Sequence, residues 1–110
     1  MTADDTPDLP TGDIEGAEEI EAAMRDAQAR LLEVPAADII CNHVVGFFEL
    51  AAIHLNATPP NLPEAAAAID AMSAVVHTLE GRLGENEQVM RDALQNIQFA
   101  FVQVKAVHGD

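Results

Sequence analysis

The side chains able to do chemistry in this 110-residue chain are few and widely spaced: four histidines, one cysteine and one serine among nineteen carboxylates. His43 and His54 fall on one face of an apolar helical stretch with Phe47 and Leu50, and His77 lies two turns beyond Asp70. Helical proteins bind metals through Glu-x-x-His elements on facing helices, and this chain has none; Glu49 and His54 project from different faces. A metal or small ligand held by His43, His54 or His77 is therefore the lesser alternative, and no metal or cofactor is expected. If another subunit covered His43 and His54, they would report pH. Ser73 sits mid-helix beside Ala74 without the strand-turn-helix elbow a nucleophilic serine needs. Gly81-Arg-Leu-Gly84 lacks the spacing and preceding strand of a phosphate-binding loop. Cys41 lies in an apolar run and reads as a small buried hydrophobe. Adjacent acids such as Glu18 and Glu19 read as a solvated face. No catalytic residue, and no enzyme, is expected.

The charge excludes more than it assigns. Net charge is −14, with five cations in all. Residues 1–33 carry ten acids against Arg25 and Arg30, and the rest carries nine against Arg82, Arg91 and Lys105. Binding nucleic acid requires a basic face that displaces counterions from phosphates, and five scattered cations cannot build one. Direct nucleic-acid binding and adhesion to a membrane surface are both disfavoured. A basic protein partner suits the acidic first third.

The elements that must position these residues are helical. Apolar residues make up 49% of the chain and aromatics 4%, with neither Trp nor Tyr; alanine-rich, aromatic-poor composition favours helices over sheet. Residues 1–12, acidic and holding Pro7, Pro10 and Gly12, read as a disordered tail and not as a signal peptide, so the cytoplasm is the expected compartment. An acidic helix is predicted over 13–33, with Ile20, Met24, Ala27 and Leu31 on one stripe. Glu21–Arg25 and Asp26–Arg30 have the spacing of stabilising ion pairs. The bundle core occupies 34–107, with helices predicted over 36–56, 62–83 and 86–107, and 108–110 forms a short tail. Pro35 opens the first of these helices, Asn61 and Glu64 cap the second, and Gly84 is expected to end it. Short connections make sequential helices antiparallel. The expected fold is all-α: an up-down bundle of three core helices plus the acidic N-terminal helix.

Helix 36–56 is apolar around nearly its whole circumference, broken by a narrow polar seam of Asp38, Asn42, Glu49 and Asn56 with Gly46 between them. Those polar residues, with His43 and His54, argue against a membrane span. Such a helix carries more apolar surface than one small bundle hides. Phe47 and Phe48 point about 100° apart, so one of them is expected to face away from the core. Phe99 and Val102 lie off the main stripe of the last helix. These surpluses predict a homodimer whose interface draws on Ile40, Val44, Phe47, Phe48, Phe99 and Val102.

Residues 34–107 resemble a family of small bacterial proteins, domain of unknown function 1844. The resemblance rests on Pro35-Ala-Ala-Asp38, Ala52-Ile-His-Leu55, Pro59-Pro-Asn-Leu62, Ala68-Ile-Asp70 and Gly84-Glu-Asn86. The chain departs from that pattern at Gly81-Arg-Leu-Gly-Glu-Asn86 and at the bulky Gly46-Phe-Phe48. The resemblance implies a short helical unit of the actinobacterial type, no catalytic residues, and a setting near the translation machinery.

Overall fold

The computed structural model describes the backbone of residues 13–108 and the side chains of residues 16–108. The tail expected over 1–12 and the last two residues of that over 108–110 lie outside the described residues. The chain divides into two units, Met1–Val34 and Pro35–Asp110. Their described residues form four α-helices and a 3-10 turn, with no strand among them. The fold is all-α.

The first unit contributes α1 (Asp13–Glu33). Asp26 and Arg30 pair at 2.7 Å; because both are well exposed, the pair is worth only about 0.3 kcal/mol. The other pair expected here, Glu21–Arg25, is not within bridging distance. Ile20, Met24, Leu31 and Leu32 are all exposed. Taken by itself, this amphipathic helix has nothing in its own unit to cover its apolar stripe.

In the second unit, α2 (Ala36–Leu55), α3 (Leu62–Thr78) and α4 (Glu87–His108) share one core. Pro35 precedes α2 and supplies the fixed φ a helix start tolerates. At the head of α3, Asn61 Oδ1 accepts a hydrogen bond from the Glu64 amide at 3.2 Å, with Pro63 in the first turn. Met72, Leu83, Val44 and Val76 are the largest fully buried side chains, and Met90, Leu94 and Ile97 bring in α4.

One boundary departs from the sequence reading. The 3-4 apolar spacing of α3 continues through Leu79 and Leu83, yet the helix stops at Thr78. Gly81 has φ 82°, a left-handed conformation that a right-handed helix cannot contain. Leu83 still reaches the core, but from a turn. Gly84, at φ 78°, opens the 3-10 turn Gly84–Asn86 and does not terminate α3.

Candidate interaction surface

The α2 sequence builds two unlike faces. Its inward side carries Cys41, Val44, Ala51 and Leu55 at helical spacing, all buried. Ile40, Phe47 and Phe48 are half-buried and packed against the same core. This corrects two expectations. Val44, assigned to a subunit interface, is 0% exposed and enclosed by its own chain. Neither Phe47 nor Phe48 turns away from the core. Both α3 and α4 pack on α2, so the core covers a wide arc of the helix, and a 100° offset still keeps both rings against it.

The outward side carries the polar seam: Asp38, Asn42, Glu49 and Asn56 are exposed, as is Gly46. It is not purely polar. Leu50 is 46% and Ile53 65% exposed, and Val45 also reaches solvent. Gly46 sits among them with nothing of its own chain within 4 Å of where a Cβ would stand. A mid-helix glycine costs about 0.5–1 kcal/mol relative to alanine, and no packing among the described residues calls for it. By length and composition α2 is also apolar enough to cross a membrane, the one such helix among the described residues.

On α4, Phe99 is 64% and Val102 62% exposed. Val102 borders an open groove of about 310 Å³ lined by Ala66, Ile69, Asp70, Gln98 and Phe101. Gln98 also lines a more polar crevice of about 240 Å³ that includes His77, Arg91 and Asp92. Neither depression brings a nucleophile to a base.

None of the three histidines is buried in the core. His43 and His77 are exposed and His54 is half-buried, since an imidazole without a buried partner stays near water. Among the described residues no three of His, Cys, Asp and Glu gather into a group able to hold a metal. Cys41 Sγ lies 3.6 Å from the Leu83 carbonyl, to which it donates. Burial, then the charges of Asp38 and Glu87, push its thiol pKa up, so it stays a protonated core side chain.

Among the described residues the carboxylate with the most hydrogen-bond partners is Glu87. Glu87, the first residue of α4, accepts the Gly81 amide at 2.9 and 3.0 Å and the Leu83 amide at 3.2 Å. Arg91 donates to it from Nε at 3.2 Å and from Nη2 at 3.0 Å, and approaches Glu80 at 3.5 Å. The amides of Gly81 and Leu83, followed by Arg91, hold the Glu87 pKa below the usual glutamate value. Glu87 thereby fastens the turn after α3 to the start of α4. The signal in the sequence was a pair of glycines just before an acid that opens a helix.

Comparison of the chain with protein-family models, with curated proteins and with solved structures finds no match in any of the three.

Proposed function

We propose that this chain is a small, non-enzymatic, cytoplasmic interaction protein: a homodimeric up-down helical bundle whose acidic first helix engages a basic protein partner. The observation that carries the reading is the exposure of large apolar side chains on three helices of so short a chain. Leu50 and Ile53 face water on α2, Phe99 and Val102 on α4, and Ile20, Met24 and Leu31 on α1. Clustered apolar surface on a small soluble chain marks a place where another protein sits. The up-down arrangement rests on three mutually packed helices joined by short connections.

The basic partner rests on charge. The helix sequence itself sets seven acids against Arg25 and Arg30. An amphipathic helix with that polar face suits an apolar groove rimmed by Lys and Arg. The resemblance to the domain of unknown function 1844 family adds a translation-linked setting to the same reading. The alternative, a metal or small ligand on His43, His54 or His77, has no convergent donor set among the described residues.

The test is affinity purification of the tagged full chain beside a variant with Ile20, Met24 and Leu31 changed to serine. The reading expects a basic protein retained at low and physiological salt by the parent and lost by the variant. Equal recovery by both would contradict it.

A further inference from the structure

The groove between α3 and α4 has apolar sides and a carboxylate that its own unit leaves without a counter-charge. Its volume is about 310 Å³. Ile69 is buried beneath it, Ala66 and Phe101 are half-buried, and Val102 is exposed at the edge. Two polar side chains complete the lining, Asp70 and Gln98, both exposed. Neither makes a side-chain hydrogen bond or an ion pair among the described residues. In the adjoining crevice, by contrast, Asp92 accepts from Gln88 at 2.9 Å, and Arg91 is held by Glu87 and Glu80. The remaining cations of the second unit, Arg82 and Lys105, form no ion pair among the described residues either.

Charge complementarity decides what such a groove takes. A chain of net charge −14 draws cations, and Asp70 attracts only a positive group. The apolar sides favour a cation carried on a hydrocarbon stem. Arginine meets both conditions better than lysine does. Its guanidinium is less strongly hydrated than an ammonium, packs flat on an aromatic ring, and donates through a planar fork to more than one acceptor. The carboxylate of Asp70, the amide oxygen of Gln98 and the ring of Phe101 are partners of those three kinds on one lining.

Resting on the basic-partner reading above, we infer that the α3–α4 groove seats an arginine side chain of that partner, with Asp70 pairing the guanidinium. Ile69, Phe101 and Val102 cover its stem. The contact lies wholly within the second unit and is additional to the one made by α1.

Nuclear magnetic resonance titration of the isotope-labelled full chain with N-acetyl-arginine methylamide tests the groove itself. The lysine and norleucine methylamides are the comparison probes. The inference expects saturable shifts centred on the amides of Asp70 and Gln98, weaker with the lysine compound and absent with norleucine. Asp70→Asn, an exposed and nearly isosteric change, should weaken arginine binding about fivefold, the loss of one exposed charge pair. Shifts that are absent, that norleucine reproduces, or that Asp70→Asn leaves unchanged overturn the inference, and equal binding of the lysine compound overturns the choice of arginine. Affinity purification with the Asp70→Asn full chain tests the partner. Less basic protein than the parent retains is expected. Equal retention overturns the inference and leaves the basic-partner reading standing, whereas a parent that retains no basic protein overturns that reading.

Discussion

Glu87 and Met72 illustrate how single side chains hold the second unit together. Glu87 gathers two backbone amides and a guanidinium onto one carboxylate, and each interaction favours its ionised form. A carboxylate whose pKa is lowered by folding stabilises the native state above its unfolded pKa. That contribution disappears as pH falls through the lower, folded value. Glu87→Gln is expected to lower the melting temperature at pH 7, and the gap between variant and parent should close below about pH 4. Thermal melts across that range check it; a gap independent of pH would mean the carboxylate's charge is not what matters. Met72 acts by filling space. It is fully buried between the helices, so Met72→Ala should cost about 2–5 kcal/mol in denaturant unfolding.

At the scale of elements, α2 and α3 differ in how openly the sequence announced them. Pro35 and the Pro59-Pro-Asn-Leu-Pro63 segment mark the ends of α2, because proline is tolerated at a helix start but breaks a helix interior. The end of α3 was hidden, since Leu79 and Leu83 keep the helical apolar period while Gly81 turns the backbone left-handed between them. Periodicity reports which residues are buried, and Leu83 is buried from a turn as effectively as from a helix. For the same reason, the two faces of α2 could not be sorted: apolar residues surround it, and only packing by α3 and α4 decides that Val44 is inside and Ile53 outside. Gly46 gives this element its own prediction. Gly46→Ala should raise stability by about 0.5–1 kcal/mol through helix propensity, since nothing stands within 4 Å of where the added Cβ would lie. Chemical denaturation measures it, and a loss of stability there would show that Gly46 serves the subunit's own fold.

The whole molecule is two units with different means of support. The bundle owns a core of residues from three helices, whereas α1 presents an apolar stripe with no cover of its own. Most of a helix's stability in a protein comes from packing of its apolar face. Removing residues 1–34 should therefore leave cooperative unfolding of 35–110 intact, read by circular dichroism. Composition made the helical class legible at once. Which surfaces stay uncovered required the packing. The account turns on those uncovered surfaces meeting a second chain, and sedimentation equilibrium from nanomolar to high micromolar concentration at physiological salt is its most direct test. It predicts a species rising to twice the 11.7 kDa of a single chain; a mass that stays at that of one chain throughout would contradict it.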